Sequence, residues 1–432
     1  MSRRVIQNSA ETFVAGIVAF GLAAVTAVVI ARWLGPEGKG TYSTLQMLAA
    51  FIGAVTSGAG SSITYLLTRQ REPIAEILPA LGTVLAAVTV LAWLGLIGWS
   101  LAFGATVPLV VLAAVIPAVV VLSWRQSFFV GMGRLRDLNR QIVLVAVATF
   151  VATTGAVIVL HGNVGGALAA WALCQYVAAT VVVAEGLRTG RGQPRASLRH
   201  NVDRIVRYGS QAGLNSLLGL LAYRIDSLVL LTLLGTATLG VYSVAVTMCE
   251  QLLWISRPVT LSVVRDIGSH DLAASGAVAS RVMRLCSTAV GLAALVMFVV
   301  GPTLIELLYG AQFGEATVAL RILLPGIVAF STAGTFASFF MFQLGRPLIV
   351  TVINLVMIAV QMGACFVLIP RLGAEGAALA SSATYVLGAS LNTWRFCRAT
   401  GLGVADIWIV RADDIRRVLA EWQGPRFGLS KT

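Results

Sequence analysis

Charge is scarce in this sequence. Only 11% of its 432 residues are Asp, Glu, Lys or Arg, whereas 58% are hydrophobic and the mean hydropathy is +0.88. That balance excludes a soluble globular chain and implies a polytopic membrane protein. Acid is scarcer than base, 18 residues against 31, for a net charge of +13. In a soluble chain such an excess would suggest nucleic acid; here the arginines report topology first, and no nucleic-acid partner is expected. Metal and redox patterning is missing as well. Cys174, Cys249, Cys286, Cys365 and Cys397 have no CxxC spacing, and His161, His200 and His270 are scattered, so neither a metal site nor a cofactor is expected. No cleavable leader is expected, because Met1–Thr12 is short and polar and carries Arg3 and Arg4.

Long apolar runs are what the chain does have. Twelve spans are expected, at 13–31, 41–67, 77–102, 107–130, 141–160, 164–186, 208–234, 239–264, 285–308, 318–342, 347–369 and 373–395. With the N-terminus inside, the inner loops collect Arg69, Arg71, Arg134, Arg136, Arg140, the run from Arg188 to Arg207, Arg265, Arg281, Arg284 and Arg346. The outer connections hold only Arg32, Lys39, Arg321 and Arg371, which predicts cytosolic termini. None of those connections is long enough to form an outer domain.

The sequence also repeats. Leu34-Gly35, Gly40, Tyr42 and Ser43 recur as Leu234-Gly235, Gly240, Tyr242 and Ser243, and 165–169 (GGALA) is echoed at 376–380 (GAALA). An even number of spans per half implies parallel repeats about an axis along the membrane normal. The expected organisation is a six-helix bundle over 1–186, a basic cytosolic linker over 187–207, a second six-helix bundle over 208–396 and a cytosolic tail over 397–432. In the tail, Ile415, Val418, Leu419 and Trp422 have the spacing of a short amphipathic helix.

The stretch 208–234 departs from the apolar rule, because Arg224 and Asp226 fall near its middle. Either charge costs roughly 2.5–3.5 kcal/mol at a helix centre, so neither is there for helix stability. Two residues apart, they point to different sides of the helix and must find other partners. Gln211, Asn215 and Asp226 form a polar stripe, as a solute pathway requires; the plainer alternative is that both charges lock helix packing.

Several stretches resemble the Wzx-like polysaccharide flippases of the multidrug/oligosaccharidyl-lipid/polysaccharide exporter superfamily. The resemblance is carried by ARWLGPEGKGTYSTL (31–45), YRIDSLVLLTLLGTATLGVYSVA (223–245), LIELLYGAQFGEATVALRILLPG (304–326), LGRP (344–347) and LIPRLGAEGAALASSATY (368–385). It implies two pseudo-symmetric six-helix bundles around a central cavity, alternating access, and no catalysis. The implied substrate is an undecaprenyl-diphosphate-linked oligosaccharide, and the implied location is the bacterial cytoplasmic membrane. Membrane lipids and other polysaccharide assembly proteins are the further partners. Such a diphosphate needs cations in a partly desolvated cavity, preferably the donor fork of arginine. Arg32, Arg125, Arg224 and Arg257 are the candidates, with Gln211 and Asn215 for the glycan. Glu250, Asp226 and Glu11 are candidates for coupling or gating.

Two other classes compete. A drug or cation antiporter of the same superfamily would share the fold but would want acid in its cavity. A membrane enzyme of glycan assembly would want a large outer loop or metal-binding carboxylates, for which Asp413-Asp414 is the one adjacent pair in the tail.

Overall fold

The computed structural model describes residues 3–68, 71, 73–103, 107–159, 163–191, 198–269, 271–411, 413, 414 and 416. Among them the chain is helical almost throughout and has no strand. In order, the helices are α1 (Arg3–Thr68), α2 (Ile74–Phe103), α3 (Val107–Gly131), α4 (Leu135–Thr154), α5 (Val164–Thr189) and α6 (Leu198–Ser269). They continue as α7 (Leu272–Tyr309), α8 (Ala316–Phe330), α9 (Ala333–Ser338), α10 (Pro347–Thr400) and the short α11 (Ala405–Trp408). The chain is an all-α polytopic membrane protein.

Nine stretches of the described residues are long and apolar enough to cross a membrane. Three of them run for 57, 60 and 54 residues, at least twice the ~20 that one crossing needs. Each of these is interrupted at one glycine, Gly35, Gly235 or Gly373. Counting them as two crossings each gives the twelve expected from hydropathy. At Gly35 the backbone has φ 67° and ψ −172°, and at Gly235 φ 82° and ψ −171°. Side chains are strained there, so glycine permits a sharp reversal with almost no loop. Pro36 follows immediately, in the first-turn position where its missing N–H costs nothing.

Contacts divide the chain into two compact units. The first comprises Met1–Val244 with Leu304–Glu315. Its core gathers Leu45, Ile63, Ile77, Ile116, Trp124, Phe128 and Phe129. Polar bonds pin α3 across the second part of α1: Trp124 Nε1 donates to the Thr56 carbonyl at 2.8 Å, and the Thr56 and Ser123 hydroxyls meet at 2.9 Å. Beyond α3, Arg134 donates to Glu185 at 2.8 Å and Asp137 at 2.6 Å. Those bonds raise its pKa above the ordinary arginine value.

The second unit comprises Ala245–Thr303 with Ala316–Thr432. Phe336, Phe339, Phe340 and Phe396 form its aromatic core, with the Phe339 and Phe396 rings 4.7 Å apart. Glycine lets α8 and α10 approach closely: the Gly326 N–H donates to Ser382 Oγ at 3.0 Å, and a Cβ on Gly326 would lie 2.6 Å from Ser382 Cα.

Two expectations for this unit need correcting. Arg281 and Arg284 are not loop residues, because α7 begins at Leu272, well before the expected 285. Hydropathy ends a span at a charge, but the helix continues because Arg284 is neutralised: its Nε and Nη2 donate to the two Asp414 oxygens at 2.8 and 2.9 Å. Asp414, read as half of a weak carboxylate pair, is thus a structural anchor, assisted by Arg281 at 3.8 Å and the Arg411 N–H at 3.1 Å. The amphipathic helix expected around Ile415, Val418, Leu419 and Trp422 lies outside the described residues.

Candidate functional site

The repeated residues meet in the first unit. Gly40 and Gly240 pack backbone on backbone: a Cβ on Gly40 would collide with the Thr236 carbonyl, and one on Gly240 with the Pro36 carbonyl. Beside them Ser43 Oγ donates to Ser243 Oγ at 3.3 Å, and the Lys39 amine donates to Ser43 at 3.2 Å. Lys39, expected in an outer connection, is 3% exposed. A second glycine contact joins the second part of α1 to the part of α6 before Gly235, where Gly58 abuts Gly209 and Gly213 and Ser62 Oγ donates to the Ile205 carbonyl at 3.1 Å. Small residues at both places let the backbones approach, as between helices in lipid.

Close to this crossing the intramembrane acid finds its partner. Asp226 is 2% exposed, and the Tyr242 hydroxyl donates to its Oδ2 at 2.5 Å; its Oδ1 accepts the Ser227 N–H at 2.7 Å. The Arg224 guanidinium, half-buried, lies 5.1 Å from the Tyr223 ring centroid. In the first repeat, Ala24 and Thr26 occupy the positions equivalent to Arg224 and Asp226, and Thr26 merely bonds the Leu22 carbonyl of its own helix. The same backbone therefore forms without either charge.

The other candidates are dispersed. Arg125 is half-buried in α3 and has no hydrogen bond, ion pair or ring contact among the described residues. Arg257, in the second unit, is exposed and stacks on Trp254 at 5.6 Å; Glu250 is half-buried on the same helix. Gln211 and Asn215 are exposed on α6. Glu11 lies 3.7 Å from Arg136. Arg32 is exposed and lines an open cavity of about 510 Å³ with Trp33, Tyr309 and Gln312.

A profile for the family described as polysaccharide biosynthesis protein matches residues 5–263. The chain belongs to that family. All nine candidate site residues, from Glu11 to Arg257, fall within the matched stretch. A search of curated proteins finds no match. Among solved structures, an inward-facing multidrug-resistance MATE transporter of the MOP superfamily is similar with a TM-score of 0.74 at 16% identity, covering 89% of this chain and 96% of that one. A MOP superfamily transporter from Pyrococcus furiosus has a TM-score of 0.63 at 13% identity, covering 92% and 95%. A Vibrio cholerae MATE transporter has 0.62 at 13%, covering 93% and 98%. The chain therefore has the MATE-type fold.

Sequence reasoning missed Tyr242 as the partner of Asp226, although the signal was present. The two residues lie nine and seven positions either side of the Gly235 break, so a tight reversal places them at similar depth. It also missed the Trp33 and Gln312 neighbours of Arg32, since residues 304–315 join the first unit from far along the chain.

Proposed function

We propose that this polysaccharide biosynthesis protein translocates an undecaprenyl-diphosphate-linked oligosaccharide across the bacterial cytoplasmic membrane by alternating access, with both termini in the cytosol. No covalent bond is made or broken in this reading. The observation that carries it is Arg125, a half-buried arginine within a span that has no acidic partner among the described residues. A desolvated guanidinium without a counterion is costly, and a bidentate diphosphate supplies both the charge and the acceptors it lacks. Arg224, against the Tyr223 ring, and Arg32, in its open cavity, are further cations of the first unit. Asp226 already accepts from Tyr242 and Ser227, which leaves this carboxylate less available for cation antiport. The Pyrococcus furiosus relative, described as having a binding pocket of reverse polarity and a different function, provides a precedent for changed cavity charge on this fold.

The test is accumulation of lipid-linked glycan in the inner leaflet at matched protein levels. Arg125→Ala is expected to abolish export, and Arg125→Lys to restore it only in part, because a point charge cannot reproduce the fork. Normal export by Arg125→Ala would remove this residue from the path. Full rescue by lysine would reassign it to topology, which lysine serves equally well.

A further inference from the structure

The first part of α1 and α4 leave between them a cavity of about 650 Å³ that the transport reading does not use. Its walls are aliphatic, formed by Val14, Val18, Val143 and Leu144. Its polar end is formed by Asn139 and Arg140, with Glu11 opposite. Of the three arginines at this end of α4, Arg134 is held by Asp137 and Glu185, and Arg136 lies beside Glu11. Arg140 alone of the three has no carboxylate partner among the described residues, and it is the one that lines the cavity.

Asn139 supplies an independent observation. It is 7% exposed, and its Nδ2 donates to Thr12 Oγ1 at 3.0 Å, yet its Oδ1 is buried with no hydrogen-bond partner among the described residues. Turning the amide round only changes which end is bare. The cavity thus presents an unneutralised cation, an unsatisfied buried amide and, one helical turn further along α4, an apolar wall. The spacing from Asn139 to Val143 is about 6 Å at ~1.5 Å rise per residue, matching the step from a lipid headgroup to its acyl chains.

We propose that this cavity binds an anionic phospholipid whose headgroup carries hydroxyls, phosphatidylglycerol in its simplest form. An acyl chain lies along Val14, Val18, Val143 and Leu144. The phosphate meets Arg140, and a headgroup hydroxyl donates to the Asn139 amide. The arginine bias assigns this end to the cytosolic leaflet, where anionic lipid is recognised by such basic pockets.

The test is native mass spectrometry of the delipidated full chain, titrated separately with phosphatidylglycerol, phosphatidylmethanol and phosphatidylcholine. Phosphatidylmethanol is anionic but has no headgroup hydroxyl. One phosphatidylglycerol is expected to be retained per chain, at least several-fold above either other lipid. Arg140→Ala, an exposed substitution that spares folding, should reduce retention to the phosphatidylcholine level. Asn139→Leu should abolish the preference over phosphatidylmethanol while leaving that over phosphatidylcholine. Val143→Trp, which fills the cavity, should remove the bound lipid altogether. Retention unchanged by Arg140→Ala, or equal retention of all three lipids, would overturn the proposal. So would a polyprenyl phosphate that displaces phosphatidylglycerol at equimolar concentration, which would assign the cavity to the carrier lipid.

Discussion

At Asp226 the energetic question is what one hydroxyl contributes. Tyr242→Phe keeps the ring and deletes the donor, leaving a buried carboxylate with one fewer hydrogen bond. The expected loss is about 1–3 kcal/mol, seen as a lower unfolding temperature in detergent. Tyr42, the repeat equivalent, makes no hydrogen bond among the described residues, so Tyr42→Phe is expected to be close to neutral. Equal effects of the two substitutions would show that ring packing, not the bond to Asp226, holds the crossing. Arg284 and Asp414 pose the same question in the second unit. Asp414→Ala strands a buried guanidinium and should cost about 3–5 kcal/mol, measured in the same way.

Among the elements, the second part of α1 and the helical parts of α6 on either side of Gly235 depend on backbone contact. Gly40→Ala places a methyl group against the Thr236 carbonyl, with backbone rather than a flexible side chain in its way. It should sharply lower folded yield. Gly82→Ala, where an added Cβ meets nothing within 4 Å, should leave yield unchanged or raise it slightly, since alanine favours helix. The segment after α10 depends instead on charge. The Asp414 pKa is lowered first by its hydrogen bonds from Arg284, then by the Arg411 N–H and the nearby arginine charges. A depressed folded pKa contributes stability above the unfolded value of about 3.9, and that stability is lost as pH falls through the folded value. Protection factors for hydrogen exchange across α11, taken relative to the intrinsic rate at each pH, are therefore expected to stay high at neutral pH and fall well below pH 4, with Asp414→Asn already low at pH 7.

For the whole molecule, the repeat crossing is the place to intervene. The Ser43 and Ser243 Oγ atoms, 3.3 Å apart, put these side chains within reach of a disulfide. With the five free native cysteines replaced, a Ser43→Cys/Ser243→Cys pair should cross-link under mild oxidant. If alternating access opens this crossing, the oxidised protein should accumulate lipid-linked glycan inside and recover on reduction. Full transport with a complete cross-link would show that the crossing stays closed throughout the cycle.

Membrane class, helical fold, the crossing count and the repeat were legible in the sequence, because each depends on hydropathy or on residues close in the chain. Gly35 and Gly235 were visible as paired turns for the same reason. The burial of Asp226 was also foreshadowed, since a charge inside an apolar run is conspicuous on its own. Only tertiary structure decided who meets whom. Asp414 on Arg284 and Gly58 on Gly209 are contacts over 130 and 151 positions, and no local pattern specifies them. Burial did the rest: Lys39 and Arg284 read as loop charges because hydropathy scores a residue without its counterpart, and packing then supplied one.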